Sequence, residues 1–257
     1  MCGRYAITSA PEAIRKLFGY LEQPNFPPRY NVAPTQPIPI VRLEQGARKF
    51  ALVRWGLIPG WVEDPKKFSL VINAREDGVL AKPAFRSAMR YRRCLVPADG
   101  FYEWQPAGQG PKRPFYIRRK DGAPFAFAGL WEVWSGPNGE EMETAAIVTT
   151  DANRTLAPIH HRMPVILAPE AFDLWLDCKN VDADTAAALL VPAPDGLLEA
   201  YPISTAVNRV ANDDASLIAR VDTPAHAETQ TQPAASELKP ETPASKRKKD
   251  DRQPSLF

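Results

Sequence analysis

The stretch Arg92-Arg93-Cys94-Leu95-Val96-Pro97-Ala98-Asp99-Gly100-Phe101-Tyr102-Glu103-Trp104 decides the fold class. It is an apolar run rich in branched and aromatic side chains, broken by a proline and an Asp-Gly pair. That composition belongs to a bent strand rather than a helix. The run predicts a strand over 94–104. Similar runs predict strands over 49–56, 114–118, 125–134, 144–149 and 164–167. Asp121-Gly122 and Asn138-Gly139 are turn signals and plausible hairpin connections between strands. Helices are few: 11–17, after Ser9 as a cap and with proline in the first turn, then 170–176 and 183–190.

Composition agrees. The chain has 257 residues, 44% hydrophobic and 24% charged, ordinary values for a globular protein. It carries 27 prolines, roughly twice the usual share, which argues against a helical bundle or coiled coil. No apolar run approaches the roughly 18 residues of a membrane span, and the start of the chain lacks a signal-peptide core. A cytoplasmic location is expected, with no membrane partner. From about residue 222 the chain is mostly Pro, Ala, Thr, Gln, Ser, Glu and Lys, with six basic and six acidic side chains. Such a segment buries too little apolar surface to offset its ordering entropy. The expectation is one compact α+β domain over 1–221, mainly β with a strongly bent or barrel-like sheet and few short helices, and a disordered tail over 222–257.

Three cysteines with no paired spacing, and three histidines, offer no zinc site or disulfide framework. No metal and no cofactor is expected. The net charge of +2 does not mark a nucleic-acid binder, so any such surface would be local. Residues 75–93 hold six basic and two acidic side chains, a local excess suited to phosphates.

Cys2 follows the initiator methionine, and Gly3 follows it. A small second residue permits removal of Met1, which leaves a cysteine with a free α-amine. The amine has an ordinary pKa near 7.7–8.0 and the thiol one near 8.5, which basic neighbours lower. Such a pair attacks an aldehyde twice: the amine forms a Schiff base and the thiol closes a five-membered thiazolidine. Toward an amide or ester the thiolate alone would act. The competing reading is a cysteine packed inside an N-terminal strand, the common use of a free thiol. Met-Cys-Gly also opens the N-terminal-nucleophile glutamine amidotransferases.

Five further blocks follow in order: Tyr30-Asn31-Val32-Ala33-Pro34-Thr35, Trp55 to Trp61, Asn73-Ala74-Arg75-Glu76, Arg92 to Trp104, and His160-His161-Arg162-Met163-Pro164. Behind Cys2-Gly3-Arg4-Tyr5 they resemble the SRAP (SOS response-associated peptidase) family over roughly residues 2–210. The resemblance implies a protein of DNA damage repair that traps the ring-opened aldehyde of an abasic site in single-stranded DNA. The implied product is a thiazolidine DNA–protein crosslink on Cys2 that shields the lesion. Lyase-type Schiff-base chemistry and self-removal of N-terminal residues go with the family. The alternative is a thiol peptidase or amidohydrolase using Cys2.

The same resemblance assigns Cys2, Asn73, Glu103 and His160 to catalysis. A carboxyl and an imidazole are suited to opening the sugar hemiacetal and moving protons along Schiff-base formation. Free imidazole titrates near neutrality, which fits His160 to proton transfer, helped by Thr149. Asn73 both donates and accepts, so it would orient the amine or a sugar hydroxyl. Alternation along the strand sets Glu103 opposite Tyr102 and Trp104. DNA contacts are assigned to Arg4, Arg75, Thr149 and Arg162, with Trp61 and Trp104 as stacking or wedging aromatics. The competing uses are a surface carboxylate, a structural histidine, a turn-capping asparagine, a solvated charged face and core tryptophans. The chain ends Gln253-Pro254-Ser255-Leu256-Phe257. This looks like the Gln-x-x-Leu-Phe peptide that docks on the bacterial sliding clamp, with Pro254 as the departure. Gln253, Leu256 and Phe257 would be its anchors. The trapping reaction needs a single copy, so a monomer is expected, nucleoid-associated when on DNA.

Overall fold

A computed structural model describes residues 2–108 and 110–221. The strands are β1 (Tyr5–Ile7), β2 (Arg29–Val32), β3 (Pro37–Glu44), β4 (Ala47–Trp55), β5 (Asn73–Arg75), β6 (Arg93–Ala98) and β7 (Gly100–Ala107). They continue with β8 (Gly110–Arg119), β9 (Phe125–Ser135), β10 (Glu141–Asp151), β11 (Arg162–Pro164), β12 (Ile166–Leu167) and β13 (Leu198–Pro202). The helices are short: α1 (Pro11–Phe18), α2 (Arg86–Tyr91), α3 (Phe172–Leu176) and α4 (Ala183–Ala187).

Two sheets carry the architecture. In one, β4 pairs with β3, β3 with β6, β6 with β9, β9 with β10, and β10 returns in parallel to β4. That ring of five strands is a closed barrel, and the expected barrel-like sheet is therefore correct. Closure removes the edges that an open sheet would expose. β5 and β11 extend it from β10, and β12 from β9. The second sheet has five strands in the order β13-β8-β7-β1-β2. One of its faces gives Tyr5, Phe101 and Ile117 to the main core. Its other face packs Ala6, Tyr102, Tyr116 and Tyr201 against Val207 and Leu217.

The deciding stretch is two strands rather than one. β6 belongs to the barrel and β7 to the five-stranded sheet, and Asp99 is the hinge. Its carboxylate accepts from the backbone N–H of Thr8 and Ser9 and from the Ser9 hydroxyl, so the switch is fastened to the end of β1. Gly100 follows because nothing larger fits. A Cβ there would lie 2.3 Å from Tyr116 Cζ and 2.7 Å from Ile117 O.

Other boundaries shift for local reasons. Ser9 is spent on Asp99, so α1 starts after Ala10 with no side-chain cap. Asn138-Gly139 does join the antiparallel pair β9 and β10. Asp121-Gly122 instead connects strands of different sheets and is no hairpin. The run at 164–167 breaks at Val165, whose N–H donates to Val148 of β10 while its carbonyl accepts from Ala128 of β9. The helix at 170–176 opens as a 3-10 turn over Pro169–Ala171. The helix at 183–190 ends at Ala187, and Asp182 caps its start by accepting from Thr185 N–H. Among the described residues no helix is long and apolar enough to cross a membrane.

Candidate functional site

Cys2 is fully buried, just before β1. Its carbonyl accepts a 2.9 Å hydrogen bond from Asn73 Nδ2 on β5. Asn73 is set there by the parallel pairing of β5 with β10, where it lies opposite Ile147. Asn73 Oδ1 is buried with no hydrogen-bond partner among the described residues, an acceptor held ready beside Cys2. The Cys2 thiol donates weakly to Arg4 O at 3.7 Å. Burial first, and then the negative charge of Glu103, push this thiol far above its ordinary range. The lowering expected of basic neighbours is not met. The Arg4 guanidinium turns away and donates to Asn31 Oδ1 at 2.7 Å and Val207 O at 2.8 Å.

Glu103 comes from the other sheet. On β7 it lies opposite Phe115 of β8 and is buried on the core side, with Phe101. Tyr102 and Trp104 point to the opposite face, as alternation requires. Burial raises the Glu103 pKa, and surrounding positive charge, Lys112 included, offsets only part of that rise. One sheet thus supplies Asn73 and the other supplies Glu103, and Cys2 interacts with both.

His160 ends a turn that starts at Asn153, and its N–H donates to Leu156 O. Its Nδ1 lies 3.0 Å from Arg162 N and 3.2 Å from Arg162 O, so the backbone of Arg162 holds the ring in place. Burial pushes its pKa down to about 4. It therefore does not titrate near neutrality, contrary to the sequence expectation. At pH 7 it is a neutral ring. His161 stacks on it at 4.4 Å and is exposed.

The residues proposed for DNA contact divide. Arg162 is buried, ion-paired with Glu76 and Asp151, and donates to Thr149 O at 2.6 Å. Thr149 is itself fully buried. These two build the wall between β5, β10 and β11 rather than an exposed phosphate contact. Arg75 is exposed and bonded to Asp77 at 2.8 Å. It lines a cavity of about 430 Å³ with Asn73, Lys82 and Phe85. Trp61 is exposed and meets Phe68 edge-on. Trp104 is half-buried, and its indole N–H donates to Asn208 at 2.8 Å.

The basic stretch 75–93 is only partly a surface feature. Arg93 is buried and donates to four carbonyls, those of Met89, Trp175, Asp177 and Val181. Gln253, Leu256 and Phe257 lie outside the described residues.

Two site features had no sequence signal. The Tyr5 hydroxyl is buried in the main core with no hydrogen-bond partner among the described residues, and the charge of Cys2 adds to the burial that raises its pKa. Lys112 stands on β8 within electrostatic reach of both Glu103 and His160. As part of a two-residue basic pair it formed no charge run to notice.

A closed barrel joined to a second sheet, with Cys2 buried between an asparagine and a glutamate, defines the class by fold and site. The chain belongs to the SOS response associated peptidase (SRAP) family, whose description matches residues 1–210. The abasic site processing protein YoaM of Bacillus subtilis is 40% identical over 221 residues, 85% of this chain and 97% of that protein. The abasic site processing protein HMCES of Gallus gallus is 33% identical, over 83% of this chain and 76% of its own length. A solved structure of a Bacteroides thetaiotaomicron protein aligns with a TM-score of 0.77 at 29% identity, covering 86% of this chain and all of that one.

Proposed function

We propose that this chain processes abasic sites in single-stranded DNA by capturing them covalently on Cys2. The observation that carries the reading is the placement of Cys2 between Asn73 and Glu103, joined to relatives named for abasic site processing. Removal of Met1, by the chain itself or by another enzyme, exposes the Cys2 amine.

The chemistry then balances with one water lost. The amine nitrogen attacks C1′ of the open sugar, and the carbinolamine loses water to give an imine. Cys2 Sγ attacks the imine carbon, a C–S bond forms, and the thiol proton ends on the ring nitrogen. A buried thiol stays protonated, so it carries that proton into the step. Glu103, its pKa raised by burial, is the group that gives and takes protons at the hemiacetal and the carbinolamine. His160, a neutral ring at pH 7, hydrogen-bonds a sugar oxygen. Asn73 Oδ1 accepts from the Cys2 amine and aims it.

The test is a denaturing gel with protein of confirmed N-terminal mass and a single-stranded oligonucleotide bearing one abasic site, beside intact and duplex controls. The expected adduct has the summed mass less one water, and Cys2→Ala abolishes it. Cys2→Ser keeps the amine and forms only a borohydride-trappable imine. A protein that begins at Cys2 and gives no adduct overturns the reading. At the far end of the chain, Gln253, Leu256 and Phe257 are proposed as a sliding-clamp anchor. Clamp binding unchanged by deletion of 253–257 would discard that part alone.

A further inference from the structure

Capture of a DNA strand needs phosphate contacts, yet two arginines of the matching blocks, Arg4 and Arg162, are engaged inside the protein. Arg4 is spent on Asn31 and Val207, and Arg162 on Glu76 and Asp151. Arg75, two residues beyond Asn73, supplies an exposed cation on the β5 side of the site. The β7 side needs its own.

The hairpin of β7 and β8 carries one. Register sets Glu103 opposite Phe115 and Gln105 opposite Arg113, so Lys112 lies one residue further toward the hairpin end. Gln105 Nε2 donates to Pro158 O at 2.9 Å, which docks that end of the hairpin against the turn leading to His160. Lys112 is exposed and makes no ion pair among the described residues. Its charge lowers the pKa of both Glu103 and His160, in keeping with a place at the site's rim.

We infer that Lys112 is a phosphate contact, gripping the single-stranded backbone where it passes the β7–β8 side of Cys2. The inference rests on the function proposed above. An ammonium on a flexible stem suits a contact that reads charge and no base. A lysine serving solubility alone would leave DNA binding untouched.

The experiment measures fluorescence anisotropy of the full chain on single-stranded DNA carrying a tetrahydrofuran site, which has no aldehyde to react. Wild type, Lys112→Ala and Lys112→Arg are compared across salt concentration, and crosslinking of true abasic DNA is run beside them. Each phosphate neutralised on a single strand contributes about 0.7 to the slope of log affinity against log salt. Lys112→Ala is expected to flatten the slope by about that amount and to weaken binding about five- to tenfold at low salt. Lys112→Arg should restore both. A wild type that crosslinks, with Lys112→Ala giving the same slope and affinity, overturns this contact alone. A wild type that neither binds nor crosslinks overturns the function and the contact together.

Discussion

Glu103 and His160 show how much a side chain's identity leaves unsaid. The sequence offered a carboxyl and an imidazole in matching blocks; Glu103 is buried within electrostatic reach of Cys2, and His160 is half-buried. Their proton affinities were not legible, because burial is a property of the folded chain. Burial raises the Glu103 pKa, so the folded state holds that proton more tightly than the unfolded state. Stability from this group is present at acid pH and is lost as pH rises through the folded pKa. Glu103→Gln should therefore raise the melting temperature at pH 7, by an amount that shrinks as pH falls, while slowing crosslinking about 10²-fold or more. Thermal scans and single-turnover gels at several pH values check both halves. His160 shifts the other way. Its folded pKa of about 4 lies below the ordinary 6.5, so the unfolded chain takes up the proton first as pH falls. That stabilising contribution is complete above pH 6.5 and is lost toward pH 4. An NMR titration should find the His160 midpoint at about 4, and a midpoint above 6 would contradict the burial argument.

At the scale of elements, the run 92–104 was recognisable as strand, and its division between two sheets was not. The division depends on Asp99 meeting Thr8 and Ser9, residues about 90 positions away in sequence. Short strands such as β1 and β5 carry too few residues for a periodic pattern, yet they bring Cys2 and Asn73 together. Gly100 marks the point where the two sheets part, and its neighbours leave no room for a methyl group. Gly100→Ala should cost about 1–3 kcal/mol through overpacking. It should also displace Glu103, three residues along β7. Urea unfolding measures the first effect and crosslinking by the surviving folded fraction measures the second. An unchanged midpoint would mean that Tyr116 yields freely.

At the scale of the whole molecule, a strongly bent or barrel-like sheet was expected, and the pairing that closes it was not. No local pattern announces that β10 returns to β4, since closure is a pairing of distant strands. The same distance effect hid the role of Arg93, which reads as one more cation in a basic stretch. It ties the barrel to the segment around α3 through the carbonyls of Trp175, Asp177 and Val181. Arg93→Ala leaves those acceptors buried without a donor and should destabilise the fold by about 3 kcal/mol or more. Chemical denaturation would show this, and a loss below about 1 kcal/mol would demote Arg93 to an ordinary surface cation. The full burial of Cys2 has a last consequence, in redox terms. Peroxides and disulfides react with exposed thiolates, and Cys2 is neither exposed nor readily ionised. Half-exposed Cys178 should be oxidised first, leaving the Cys2 thiol reduced under the oxidising conditions that damage DNA bases.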